Sequence, residues 1–290
     1  MSAFFAIASA FLYGLTSVMA KTGMRASNTS SAVFISLLGS FFSVLVFSLF
    51  YTSFNQYLTK AVYFFLTAGI IGPFIGRILL FKGIDRVGAA IASTLYEGKP
   101  LFSVIGAMIL LGARLTPIIG LGVCLMLAGT IIVSFERSGG QIEKKWKKID
   151  LLVPTAAGAC YGMSQVFRKM GLNISADPVV GVMVQNIGAI AFVPLLVLPS
   201  KHQKGAISRS TRIWILFLLV GFLQVIAQWC LFRALNLGSV VIVSPLSSLS
   251  TFFVLILTVL FLRKLERVTW KIVLGAVLMV GATVILAVRT

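Results

Sequence analysis

Three charged side chains stand well inside apolar runs of this sequence: Arg77, Glu97 and Lys99. Glu97 is the one acid among seven that does so. A charge at bilayer depth costs at least ~2.5–3.5 kcal/mol on insertion scales, so each of these groups needs a partner or a wet space. The chemistry they suit is the holding of a charged solute. Lys99 and Arg77 would take a carboxylate or phosphate, and Glu97 an amine or a coupling proton. Counted from a helix entering near residue 87, Glu97 lies about 15 Å deep, and Arg77 on the preceding helix can extend to it. Glu97 and Lys99 are two apart, so in a continuous helix they point to different sides and make poor partners. A purely structural reading also stands: an ion pair locking two helices, with Lys99 snorkelling.

Neutral polar groups fill out the candidate site. Gln224 and Gln228 are four apart and share one helix face. Tyr96, Ser244 and Ser248 lie on the same two segments as Pro100 and Pro245. Each proline removes a backbone donor and bends its helix, which suits hinge motion or gating; ordinary membrane-helix kinks are the alternative. Tyr13 and Tyr161 either line a pathway or anchor at the interface, and Gln165 is a weaker pathway candidate. Gln185 and Asn186 sit mid-span and are expected to tie helices together. Metal chemistry is not expected. Cys124, Cys160 and Cys230 lie singly in apolar runs, and His202 is the only histidine. With no HExxH and no intramembrane cluster of acids and histidines, neither a cofactor nor an enzyme is expected. A membrane enzyme and a non-transporting scaffold are the rival classes.

The elements that must position these residues are membrane helices. Of 290 residues, 59% are hydrophobic and 11% charged, and the mean hydropathy is +1.04. So few charges cannot cover a water-facing shell. The net charge of +18 sits in short gaps between apolar runs, which argues for topogenic charge rather than nucleic-acid binding. The apolar runs place helices near 3–20, 31–50, 61–81, 87–111, 116–135, 151–167, 178–198, 213–232, 239–262 and 270–288. The short gap at 112–115 predicts a tight helical hairpin. The first run has no basic segment before it and reads as a span rather than a cleaved signal.

The two halves repeat. Tyr13, Gly14, Lys21 and Gly23 recur 148 residues later as Tyr161, Gly162, Lys169 and Gly171. LLFKGIDRVGAA at 79–90 answers CLFRALNLGSVV at 230–241, and Gly122 and Gly129 answer Gly275 and Gly281. The glycines suit close packing or a homodimer contact. Residues 1–136 therefore form a first five-helix repeat, 137–150 a basic linker with Lys144, Lys145, Lys147 and Lys148 set to rest on anionic lipid, and 151–290 the second repeat. Five crossings is an odd number, so the second repeat inserts upside down. Inverted repeats allow two states of similar energy around a midplane site, as in many secondary transporters. Arg77 maps to Gln228, and Glu97 and Lys99 fall near Ser248 and Ser250, so the first half supplies charge where the second supplies neutral groups. Loop charge is biased, with 17 basic residues on the side opposite the N-terminus against 6 on its own side. The positive-inside rule then puts both termini outside.

These residues resemble the drug/metabolite transporter superfamily, in the branch of paired EamA domains. The marks are the aromatic-glycine pairs Tyr13-Gly14 and Tyr161-Gly162, and the segments at 81–116 and 232–261. The resemblance covers nearly the whole chain. It implies an all-α integral membrane fold of ten helices in a 5+5 inverted repeat around a central cavity lined by helices 1, 3, 4, 6, 8 and 9. It also implies secondary transport of a small polar metabolite, with an amino acid or related charged or zwitterionic solute as the leading expectation. Export is the leading direction, and an uptake carrier or exchanger is the runner-up. The expected partners are the solute and membrane lipid, in a plasma or bacterial inner membrane, with the protein a monomer or homodimer. Three departures stand out. The turn after the fourth helix reads Leu111-Gly112-Ala113-Arg114 where the family often has an acid. The fourth helix carries Glu97 and Lys99 where the family is usually uncharged. Family members are often drawn with cytoplasmic termini, against the loop charge here.

Overall fold

A computed structural model describes residues 1–24, 29–51, 59–87, 92, 95–137, 147–191, 210–261 and 269–288. Among them every regular element is helical. The first repeat contains α1 (Ser2–Met24), α2 (Thr29–Tyr51), α3 (Ala61–Gly69) running through a π-helical stretch at Ile70–Gly76 into α4 (Arg77–Val87), α5 (Lys99–Leu111) and α6 (Pro117–Arg137). The second contains α7 (Leu152–Ile174), α8 (Pro178–Ile190), α9 (Thr211–Leu237), α10 (Val240–Ser247) with α11 (Ser250–Phe261), and α12 (Trp270–Ala287). This is a ten-helix membrane fold of two repeats. Among the described residues, four helical stretches are by themselves long and apolar enough to cross a bilayer: Ser2–Ala20, Ala61–Leu80, Thr211–Leu237 and Val240–Leu257. His202 and the linker lysines Lys144 and Lys145 lie outside the described residues.

The repeats pack against each other in matched pairs. α1 lies on α9 and α11, and its counterpart α7 lies on α3, α4 and α5. α2 packs on α9 as α8 packs on α3, and α6 pairs with α12. Exchanging the halves reproduces these main pairings, the pattern two like units make around a shared axis. The α6–α12 contact is backbone-close: a Cβ on Gly129 would come within 2.6 Å of the Gly275 carbonyl oxygen. Gly122 is likewise filled from across the contact, by Leu286. Gly281 faces open space, where an added Cβ would meet nothing.

Local chemistry explains the ends and breaks of the helices. Gly112 takes a left-handed φ of 63°, and the N–H of Ala113 reaches back to the Ala107 carbonyl at 3.1 Å, closing α5 in a glycine-capped turn. The turn is as tight as the spacing predicts, but α6 then packs mainly on α12 rather than along α5. Asp177 caps α8, its Oδ1 accepting from the N–H of Val179 at 2.8 Å and of Val180 at 3.4 Å. In the third span Pro73 sits inside the π-helical stretch and cannot donate to the carbonyls before it. Ser164 of α7 supplies a donor instead, its Oγ bonding the Ala68 carbonyl at 2.7 Å.

Helix ends move: α1 runs to Met24 and α4 to Val87, past the expected 20 and 81, and two further boundaries move in the second repeat. α7 runs to Ile174 and α9 to Leu237, where the charges at 168–169 and 233 suggested helix ends at 167 and 232. Both extensions have partners. The Lys169 ammonium donates to the Leu235 carbonyl at 2.6 Å, placing a cation on the negative end of α9. Arg168 turns inward.

Candidate functional site

The fourth span is not the continuous helix expected over 87–111. It turns at Glu97-Gly98, and α5 starts afresh at Lys99. The turn is tight, with the Gly98 N–H on the Leu95 carbonyl at 3.2 Å and the Leu101 N–H on the Gly98 carbonyl at 3.0 Å. Its counterpart in the second half breaks at Ser248-Leu249, between α10 and α11, again through short i to i+3 bonds. Pro100 therefore occupies the first turn of α5, where its missing donor is not needed, instead of kinking a helix interior. Pro245 does lie inside α10, shortly before the second break.

The break brings Glu97 and Lys99 together. The expectation that they are poor partners fails because the i, i+2 geometry of a continuous helix does not apply across a turn. Lys99 Nζ lies 3.1 Å from Glu97 Oε2, and the two side chains are only 13% and 15% exposed. Glu97 thus pairs with Lys99 rather than with Arg77. The contact is an ion pair without the alignment of a hydrogen bond, since Oε2 has no directional donor. Lys99 also lies 4.7 Å from the centroid of the Tyr96 ring, in a cation–π contact. Both contacts oppose the helix dipole, which disfavours a cation in the first turn of α5. Arg77 opens α4, half-buried, within electrostatic range of Tyr96.

Tyr161 joins this group across the repeat boundary, its ring edge-on to Tyr96 with centroids 5.1 Å apart. Gly162, the next residue of α7, lets the helices meet: a Cβ there would lie 2.5 Å from the Lys99 carbonyl oxygen. The aromatic-glycine pair of the second repeat is therefore a packing device with an aromatic side chain set at the break. Tyr13, its counterpart in the first repeat, lies within electrostatic range of Tyr161. The hydroxyl of Ser103 in α5 donates to that of Ser244 in α10, crossing between the two broken spans. Ser248 is fully buried, and its hydroxyl has no partner.

The glutamines divide. Gln228 Oε1 accepts from Asn186 Nδ2 at 2.9 Å and from Gln185 Nε2 at 3.3 Å, which ties α8 to α9. The helix-joining role expected of Gln185 and Asn186 is thus met, with Gln228 as the acceptor. Gln224 is half-buried one turn earlier. Gln165 is 5% exposed, with its carbonyl oxygen unpartnered.

The sequence reading missed Arg168. Left beyond the end of the helix expected at 151–167, it is 5% exposed inside α7. Its guanidinium carbon sits 5.5 Å from the Phe232 ring centroid, and its Nε is buried without a hydrogen-bond partner. Tyr13, Tyr96 and Tyr161 all lie within electrostatic range of it. The signal was available: Tyr161, Gln165 and Arg168 follow at steps of four and three, which is one face of a helix. The second half therefore supplies a cation too, and the division into a charged first half and a neutral second half does not hold. Among the described residues no cluster of His, Cys, Asp or Glu could hold a metal ion.

A family model described as EamA-like transporter family matches residues 1–135 and 148–288. Among curated proteins, no sequence matches. A solved structure titled only "Crystal structure of protein" superposes with a TM-score of 0.80 at 16% identity, covering 99% of this chain and 96% of that one. At that identity the likeness speaks for the fold.

Proposed function

Because the chain belongs to the EamA-like transporter family, we propose that it is a secondary transporter moving a small charged or zwitterionic metabolite by alternating access, with an amino acid as the leading class and export as the leading direction. The observation that carries this reading is the Glu97–Lys99 ion pair, largely buried at a helix break in the middle of a membrane fold. A pair whose only purpose was to join helices would be expected to link two of them. This one closes on a single turn of one span and, among the described residues, ties no second span, so its charges are available for exchange with those of a solute. A zwitterion meets both needs, its carboxylate replacing Glu97 beside Lys99 and its amine replacing Lys99 beside Glu97. A proton on Glu97 would release Lys99 in the same way, which is how coupling to a proton gradient would enter. Tyr96 and Tyr161 wall the pair. Ser244 and Ser248 stand at the matching break in the other repeat, and Pro245 softens the span there. The repeats are assigned to 1–136 and 151–290 around the basic linker, with both termini outside by loop charge. Moving Arg168 from the loops into a span widens that charge bias.

The test is flux. Purified protein in liposomes should exchange labelled amino acids or small organic acids against unlabelled ones. Lys99→Ala should weaken binding, and Glu97→Gln should flatten the dependence of flux on pH. Flux that is unchanged in both variants across pH ends this assignment.

A further inference from the structure

We infer that Arg168 is the anion-recognition residue of the transport site, so that the solute carries a carboxylate or comparable anionic group seated on the guanidinium. The inference rests on the transport reading and adds to it a residue outside the two breaks. It starts from an imbalance. Arg168 is 5% exposed in a membrane helix, yet among the described residues no acid pairs with it. Glu97, among the described residues the one acid near the middle of the fold, is already held by Lys99 at 3.1 Å. Among those residues three cations, Arg77, Lys99 and Arg168, thus stand there against one carboxylate. The ring of Phe232 at 5.5 Å gives the guanidinium a face to lie on and no negative charge to bind. Its Nε remains buried without an acceptor.

A guanidinium left in that state is unstable by itself and complementary to a planar anion, because its fork of donors matches two carboxylate oxygens. Its surroundings suit a solute better than a structural partner. Arg168 lies about 9 Å from the end of α7, and a long helical side chain leans back toward the N-terminus, deeper into the fold. That direction runs along the face carrying Gln165, whose carbonyl oxygen is also buried and unpartnered, and Tyr161. Tyr13 and Tyr96 close the group from the other repeat, within electrostatic range. Arg168 would hold the anionic end, and the Gln165 oxygen would accept from a donor on the same solute.

The experiment uses purified full-length protein and a panel of acetate, succinate, inorganic phosphate, glycine and choline. Thermal shift reads binding, and liposome flux reads transport. The expected result is that at least one anion or zwitterion raises the melting temperature, that Arg168→Met abolishes this shift, and that the ligand-free variant melts no lower than wild type because an unpaired buried charge is gone. Arg168→Lys keeps the charge without the fork and should bind at least tenfold more weakly. An undiminished ligand response in Arg168→Met overturns the inference, as does binding of choline alone. If Arg168→Met does not fold, unchanged affinity in Arg168→Lys overturns it. The two readings fail separately. Flux that ignores Arg168 leaves transport standing without this residue, whereas Arg168-dependent binding with no flux of the bound solute leaves an anion site in a protein that does not transport it.

Discussion

Replacing Lys99 with Met should be among the most damaging single changes available near the breaks, and removing Glu97 as well should undo most of the damage. The pair is 3.1 Å apart, with its side chains 13% and 15% exposed, so water offers little compensation to a carboxylate left alone. Stripping one partner from a buried pair costs about 3–5 kcal/mol, and loss of the cation–π contact with Tyr96 adds about 0.5–2 kcal/mol. Replacing both charges by neutral groups of similar size is often neutral or stabilising, because two desolvation penalties disappear together. The double variant Glu97→Gln/Lys99→Met should therefore unfold close to wild type, with a coupling energy of at least about 2 kcal/mol between the two sites. Equilibrium unfolding in mixed micelles of the wild type, both single variants and the double variant measures that coupling. A cost for Lys99→Met below about 1 kcal/mol, the value of a solvated surface pair, would refute the reasoning.

Gly162→Ala places a Cβ 2.5 Å from the Lys99 carbonyl and should cost about 1–3 kcal/mol while displacing the break; unaltered unfolding and flux would contradict it. Gly281→Ala meets no atom, and at this helix-interior position should stabilise a monomer by about 0.5–1 kcal/mol; a lowered melting temperature with loss of a dimer in sizing would instead locate a homodimer contact there. Asp177→Ala removes the cap of α8 and should cost about 1 kcal/mol, read by chemical unfolding, with Asp177→Asn retaining most of the stability.

The architecture was legible because its causes are written locally. Bilayer thickness sets the length of apolar runs, and the offset of 148 residues is carried by Tyr13-Gly14 and Tyr161-Gly162, which must pack alike in both halves. The site was legible in its members and less so in its connections. Glu97 and Lys99 were both identifiable as charges at depth, but their pairing depended on a break at Gly98, and nothing in the apolar pattern distinguishes a short turn from a continuing helix. Pro100 marked the spot without revealing that it opens a helix. Arg168 was hidden by the habit of ending a helix at the first charge. That rule fails where the charge turns inward onto Phe232 and its neighbour Lys169 caps another helix. The Gln185–Asn186–Gln228 group was foreseeable from the cost of amides in hydrocarbon, whereas its acceptor required the crossing of α8 and α9.

Two-sided access to the polar centre is the claim that everything functional depends on. With Cys124, Cys160 and Cys230 replaced, a single cysteine at position 165 can be challenged with a membrane-impermeant thiol reagent from either face of oriented vesicles. Alternating access predicts labelling from both faces, slowed by a bound solute. Labelling from one face only, at every pH and with every solute tried, would contradict it.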